Sequence, residues 1–427
     1  MEAVILFSLL IVTIGLSIPI GITLGLSTGI AMWLTSDIPM VMLAQKSVTG
    51  LDSFPLLAIP FFILAGALMC NGGISRRLVN LAESLVGYIT GGLAMVTIVA
   101  CMFFGAISGS AGATVSAIGS FMVPMMVEKK YKPDFAAAVI SSAGTIGCII
   151  PPSIPFVVYG VLTGTSVSDL FIAGVIPGVT IGLALMAVAY VISKKEGYPP
   201  MSGIPTFRQV VKTFAGSIWA LFVPIIILGG IYGGIFTPTE AAAVAAVYGL
   251  FVGVCIYRTL RARELLAVVI DSGRQAGAIM WNMGNAGLMA WVMSVSGISA
   301  TITHFLESVV NGHTLVFLLI ANILVLIAGC FIDGNSIMYI FVPIFMPIAT
   351  ALGVDLYHLG VVLVMNVAIG QVPPPVGCNL FVACGIGGIQ VADIVRPVVP
   401  YIIASAIALL IVTLVPGVST LLPALLG

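Results

Sequence analysis

Charge is what this chain has least of. Fifteen basic and fifteen acidic residues make up only 7% of its 427 residues, where a soluble domain carries about 25%. So few charged side chains cannot make a surface for water. The formal net charge is zero, which gives a polyphosphate nothing to bind, so no nucleic-acid partner is expected. No Walker-type phosphate loop occurs, so this chain hydrolyses no ATP to drive its work. Only three histidines are present and none sits in a His-Glu-x-x-His pair, which removes an intramembrane metalloprotease. Asp333 has no acidic neighbour in its apolar segment, which removes a protease built on paired acids. The chain is not expected to be an enzyme. Its seven cysteines (70, 101, 148, 255, 330, 378 and 384) stand singly, without CxxC or zinc-ligand spacing, and read as small buried hydrophobes.

What the chain has instead is oil, glycine and proline. Hydrophobic residues make up 60% of it, with 48 glycines and 24 prolines. Apolar runs long enough for bilayer spans lie at 52–72, 134–164, 167–193, 215–236, 239–257, 275–297, 358–388 and 396–426. The stretch 3–35 reads as two short spans or one long helix kinked at Pro19. It is too long for a signal peptide and has no basic start. A lipid bilayer is therefore the chain's first partner, and the expected class is an all-α polytopic membrane protein.

The sequence nearly repeats itself after about 224 residues. Gly73-Ile74-Ser75 returns as Gly297-Ile298-Ser299, and Glu83-Ser84 as Glu307-Ser308. Pro124 returns as Pro347, Gly147 with Pro151-Pro152 as Gly370 with Pro374-Pro375, and Val167 with Asp169 as Val391 with Asp393. Duplication with proline-broken helices is the pattern of a secondary transporter. The expected repeats are 1–212, with a hairpin at 90–128 and a broken helix at 134–164, and 213–427, with a hairpin at 313–350 and a broken helix at 358–388.

Basic residues cluster at Arg76-Arg77, at Lys129, Lys130 and Lys132, at Lys194 to Lys212, and at Arg258 to Arg263. The positive-inside rule puts these loops in the cytoplasm. The stretch 90–128 then begins and ends on one side, as a re-entrant hairpin with a polar tip between Gly105 and Gly112. Two straight spans would also satisfy the charges. Five crossings separate span 52–72 from its mate 275–297, so the second repeat is expected upside down, its hairpin tip running from Cys330 to Ser336. The short stretches 74–90 and 299–312 read as surface struts or as plain loops.

Irregular backbone survives at membrane depth only inside protein or beside water. Hairpin tips and proline breaks free carbonyl oxygens there, and oxygens are what hard cations bind. The first expected cation site combines Ser108 and Ser110 with Thr145, Gly147 and the carbonyl of Ile150; the second combines Asp333 and Asn335 with Gly370 and Gln371. Asp333 is the most telling of these, because an ionisable side chain at membrane depth costs several kcal/mol. Neighbouring helix N-termini suit an anion. Pro152, Ser153, Tyr159, Asn366 and Asn379 flank the breaks and are candidate substrate contacts. Trp281, Asn282 and Asn285 form a polar-aromatic patch that could line a substrate path, and Glu240 reads as an ion relay or a helix-start carboxylate.

Three motifs carry a family resemblance: Pro151-Pro152-Ser153-Ile154-Pro155 with Tyr159-Gly160, Thr237-Pro238-Thr239-Glu240-Ala241-Ala242-Ala243, and Pro373-Pro374-Pro375-Val376-Gly377-Cys378-Asn379-Leu380-Phe381. Along essentially its whole length the chain resembles the large membrane subunit of tripartite ATP-independent periplasmic (TRAP) transporters. The resemblance implies an elevator-type fold of two inverted repeats in the bacterial inner membrane. It implies uptake of a small organic acid, such as sialic acid or a C4-dicarboxylate, coupled to two or more sodium ions held at the tips and breaks. It also implies two partners, a small membrane subunit of about four helices on a separate chain and a periplasmic substrate-binding protein. The alternative is a stand-alone cation-coupled carboxylate transporter without a binding protein.

Overall fold

A computed structural model describes residues 2–16, 18–36 and 38–426, and among them all regular structure is helical. The N-terminal stretch is two helices, α1 (Glu2–Gly15) and α2 (Ile20–Thr35), with Pro19 at the start of the second, followed by the short α3 (Met40–Thr49). A 3₁₀ turn at Phe54–Leu57 leads into α4 (Ala58–Asn71). Then come α5 (Ile74–Val86), α6 (Gly92–Ser108), α7 (Ala111–Glu128), α8 (Pro133–Ala143), α9 (Ile154–Thr163) and α10 (Val167–Glu196). Two helices, α11 (Phe207–Tyr232) and α12 (Pro238–Phe251), join this half to the next. The second half holds α13 (Ala262–Val295), α14 (Ile298–Val310), α15 (Thr314–Gly329), α16 (Gly334–Ala351), α17 (Leu356–Gly370), α18 (Cys378–Gly387), α19 (Val391–Leu414) and α20 (Gly417–Leu426).

Side-chain caps start several of these helices. Thr237 and Glu240 form a reciprocal capping box at α12: Glu240 Oε2 accepts from Thr237 N at 2.8 Å, and Thr237 Oγ1 accepts from Glu240 N at 3.3 Å. The Glu240 carboxylate is thus spent on a helix start, the plainer of its two readings. Asp355 caps α17 by accepting from the amides of Tyr357 and His358. The stretches 74–90 and 299–312, open between strut and loop, hold helices. In α5 the residues Ile74, Leu78, Val79 and Ala82 are buried while Arg76 and Asn80 face outward, the single apolar stripe of a surface helix.

Two expectations on span limits are corrected. Helix α13 starts at Ala262 rather than 275 and meets α14 at a 74° bend. Glu264 Oε2 accepts from Arg261 N at 2.9 Å and starts the helix early. At 34 residues it is about 51 Å long, more than the roughly 30 Å of hydrocarbon. The run 396–426 is not one span, because α19 starts at Val391 and ends at Leu414, before Pro416. Helix α3 had no counterpart among the expected segments. Among the described residues seven helical segments can cross a membrane by length and composition, and the bent α13–α14 pair makes an eighth.

Both halves place the same elements in the same order: a span, a surface helix, a helical hairpin, a broken helix and a long helix. Their packing is reciprocal. Helix α7 lies against α18 while α16 lies against α9; α8 touches α18 while α17 touches α9; α10 and α19 pack on each other. Around this body α4 packs on α12, α11 on α5, and α13 on α2. The α2–α13 contact is close because α2 presents glycines there. A Cβ on Gly21 would overlap Asn282, and one on Gly25 would overlap Asn285, as where small residues let helices approach in lipid.

Candidate functional site

The first hairpin turns in two residues. Helix α6 runs through Gly105 to Ser108, so the expected glycine tip shrinks to Gly109 and Ser110. Gly109 sits at φ 64°, and a Cβ on it would stand 2.9 Å from the Pro152 carbonyl oxygen, which is why a side chain has no place there. Ser110 caps α7. Gly105 lies on the backbone of Gly147, its virtual Cβ 3.1 Å from Gly147 Cα. The tip is stitched to the break by Ile154 N donating to Gly109 O at 3.1 Å and by Ala111 N donating to Cys148 Sγ at 3.1 Å.

Thr114, which the sequence reading did not single out, ties this tip together. Its hydroxyl lies 2.9 Å from Ser108 Oγ and donates to Ser110 O at 2.8 Å, and a Cβ on Gly147 would overlap it. Three of the expected first-site residues, Ser108, Ser110 and Gly147, therefore meet around Thr114. The signal was available, because Thr114 is one helical turn after Ser110 on the same face. Thr145 Oγ1 donates back to Ser142 O at 2.7 Å, and Ile150 packs on Gly178 of α10; among the described residues no hydrogen bond joins either to Ser108 or Ser110. Thr114→Val should leave buried Ser108 with only its long contacts to Ser110, and the Ser110 carbonyl with the Thr114 amide but no hydroxyl donor, at a cost of about 1 kcal/mol. A thermal unfolding midpoint equal to that of the unaltered protein would refute the arrangement.

The second tip is built on Asp333. As the cap of α16 it accepts from Ser336 N at 3.2 Å and from Ser336 Oγ at 2.6 Å, and Asn282 Nδ2 of α13 reaches it at 3.4 Å. Two of the three residues of the polar patch thus have assigned neighbours: Asn282 faces Asp333 and Gly21, and Asn285 donates to Trp281 O. Trp281 itself is exposed. Asn335 Oδ1 is buried without a hydrogen-bond partner, an oxygen whose desolvation is uncompensated. Gly370 meets Gly329 backbone to backbone, a virtual Cβ on Gly329 standing 2.8 Å from Gly370 Cα. Gln371 Nε2 is close to Gly334, and its side chain reaches toward the Cys148 thiol of the first break. Val376 N donates to Cys330 O at 3.2 Å, joining tip to break. At Gly377, φ 34°, the carbonyl oxygens of Gln371, Val372 and Pro373 converge, each 2.9–3.2 Å from a virtual Cβ. Asp333, Asn335, Gly370 and Gln371 thus lie on the two facing segments, 330–336 and 370–377.

The candidate substrate residues are held by other protein groups. Ser153 caps α9 and donates to Cys148 O. Tyr159 OH donates to Leu356 O at 2.7 Å, fixing α9 to the start of α17. Asn366 donates to Asn322 O and Oδ1, and Asn379 Nδ2 reaches Ser141 O at 3.5 Å. The Oδ1 atoms of Asn366 and Asn379 are buried and unpartnered. Open space lies elsewhere. A cavity of about 310 Å³ adjoins the first tip, between Ser108, Ser110, Ser116, Asn71 and Gln275, and its lining includes no charged side chain among the described residues. Gly112 and Ala113, in the first turn of α7, line the same cavity, so a helix N-terminus faces it.

Residues 7–418 match the family described as tripartite ATP-independent periplasmic transporter, DctM component. The chain is 43% identical to the C4-dicarboxylate TRAP transporter large permease protein of Pseudomonas aeruginosa, over 95% of this chain and 94% of that one. It is 36% identical to the sialic acid TRAP transporter large permease protein of Vibrio cholerae, over 95% of each. It is 43% identical to an isethionate TRAP transporter permease protein of Oleidesulfovibrio alaskensis, over 97% of this chain but only 65% of that longer relative. Among solved structures, the YdaH transporter of Alcanivorax borkumensis shares the fold, with a TM-score of 0.62 over 90% of each chain at 12% identity.

Proposed function

The chain belongs to the DctM-component family of tripartite ATP-independent periplasmic transporters, and from that membership we propose that it imports a small organic acid across the bacterial inner membrane, driven by sodium. The observation that carries this reading is the pair of oxygen-lined tips, Ser108–Ser110–Thr114 against Gly147 and Asp333–Asn335 against Gly370–Gln371. One sodium ion belongs to each tip. Neutral hydroxyl and carbonyl oxygens hold the first, and the second adds a carboxylate; both are ligands for a hard cation. The substrate belongs in the cavity beside the first tip, its carboxylate facing the N-terminus of α7.

Sodium binds the closed tips better than the open ones, and that differential affinity is the drive. The reciprocal packing of the two halves supports reading them as inverted repeats, with 1–212 and 213–427 as their extents. The hairpins and broken helices then move as one body against α2, α4, α11, α12 and α13, in elevator fashion. The relatives named for C4-dicarboxylate and sialic acid support a carboxylate as cargo. The longer relative, of which this chain spans 65%, supports a small membrane subunit as partner, and a periplasmic binding protein delivers the acid.

The test is uptake by proteoliposomes holding the large and small subunits with the binding protein outside. An inward sodium gradient should drive accumulation, and replacing sodium by choline on both sides should reduce uptake to the background of empty vesicles. Undiminished uptake without sodium would reject the coupling.

A further inference from the structure

A cleft of about 850 Å³ opens away from both tips. It lies between α5 and the start of α11, roofed by the 202–205 segment. Three cations face it, Arg76, Arg77 and Lys212, against one carboxylate, Glu83. Hydroxyl and amide groups of Asn80, Ser84, Ser202, Gln209 and Thr213 complete the wall. Arg77 is held in place: its guanidinium stacks 3.4 Å from the Tyr257 ring centroid, Nη1 donates to Gly73 O at 3.1 Å, and its own carbonyl accepts from Ser217 Oγ at 3.0 Å. Arg76 and Lys212 are exposed and carry no ion pair among the described residues. The cleft therefore offers a net positive charge and hydrogen-bond donors to a small anion.

Its rim is of the opposite character. Ile204, on its wall, is 85% exposed, and the opposite face of α11 is bare and apolar at Phe207, Val211 and Phe214. Basic residues beside exposed aromatic and aliphatic side chains suit the boundary between headgroups and acyl chains. A free phosphate would use the cations and leave this rim in water; a phospholipid uses both.

We propose that this cleft binds the phosphate headgroup of an anionic phospholipid, such as phosphatidylglycerol, in the cytoplasmic leaflet. Arg76 and Lys212 grip the phosphate, and Ile204 covers the upper acyl chains. Helix α5 packs on hairpin arm α6 as well as on α11, so the lipid braces the joint between the surface strut and the first hairpin. The site does not depend on sodium coupling or on which acid is carried. It rests only on the cytoplasmic orientation of the basic loops.

Native mass spectrometry of the full chain, released from membranes of mixed phosphatidylcholine and phosphatidylglycerol, tests it. The unaltered protein should keep phosphatidylglycerol selectively. The double variant Arg76→Gln, Lys212→Gln should bind it about thirty-fold more weakly, as expected for two basic residues at a membrane surface. Arg263→Gln, outside the cleft, should bind as the unaltered protein does. Equal retention by the double variant, displacement of the lipid by millimolar inorganic phosphate, or occupation of the cleft by a co-purifying protein instead of lipid would each overturn the proposal. Orientation is read separately with Gly203→Cys, since no atom crowds a side chain there. Protection from an impermeant thiol reagent added to intact cells supports a cytoplasmic cleft, and labelling refutes it.

Discussion

Asp333→Asn is expected to abolish sodium-driven uptake while the protein still folds. Asparagine caps a helix as well as aspartate does, so the Ser336 amide, 3.2 Å from the carboxylate, keeps an acceptor. The side chain keeps its size beside Asn282. What goes is the charge. Two unit charges about 4 Å apart attract by roughly 4 kcal/mol at an effective dielectric of 20, on the order of a thousandfold in affinity. Part of that is offset by sodium dehydration, which leaves an expected loss of at least about a hundredfold in apparent sodium affinity. Uptake measured against sodium concentration, alongside the thermal midpoint, separates the outcomes. Unchanged midpoint with lost uptake supports a cation at this carboxylate. Normal uptake at ordinary sodium levels removes Asp333 from the ion site.

Gly147→Ala is expected to be as damaging by a steric route. A single methyl group there would overlap Thr114 Oγ1 and lie 2.8 Å from the Ser110 carbonyl oxygen. The Ser110 oxygen is backbone and cannot swing away as a flexible side-chain end would. Overpacking of this kind costs about 1–3 kcal/mol, and here relief comes only by lifting the first tip off the break. Uptake should fall to background and the thermal midpoint should drop. Gly385→Ala on α18, where nothing lies within 4 Å of the new methyl, is the matched control and should behave as the unaltered protein does. Full activity in Gly147→Ala would show that the tip need not close on the break.

Much of the large-scale plan could be read from the residues, because proline, glycine and charge act locally. Pro151-Pro152 and Pro374-Pro375 interrupt a helix wherever they fall, and the interruptions are where they were expected, after Cys148 and after Gly370. The order of elements after Gly73 and after Gly297 is the same. The finer arrangement was not legible because it depends on partners far apart in the chain. Asn282 belongs to a patch on one helix until α2 and the second tip arrive on either side of it. Tyr159 and Asn366 read as free polar groups beside a break, yet their hydrogen bonds run to Leu356 and Asn322. Composition also pointed away from the C-terminal end: an apolar run of 31 residues from 396 to 426 hides a stop at Pro416 that packing of α20 against α10 makes visible.

The unequal tips have an electrical consequence. The first is lined with neutral oxygens and the second adds a single carboxylate. If each tip holds one sodium ion and the cargo is a monocarboxylate, as proposed, the fixed and mobile charges of the site cancel, and the loaded body would cross without feeling the membrane voltage. Emptied, it is left with the lone negative charge of Asp333. A cell interior held negative then pushes the unloaded body outward, with about 2.3 kcal/mol per 100 mV for a full crossing. Resting voltage would thus power the recovery stroke rather than the delivery of cargo.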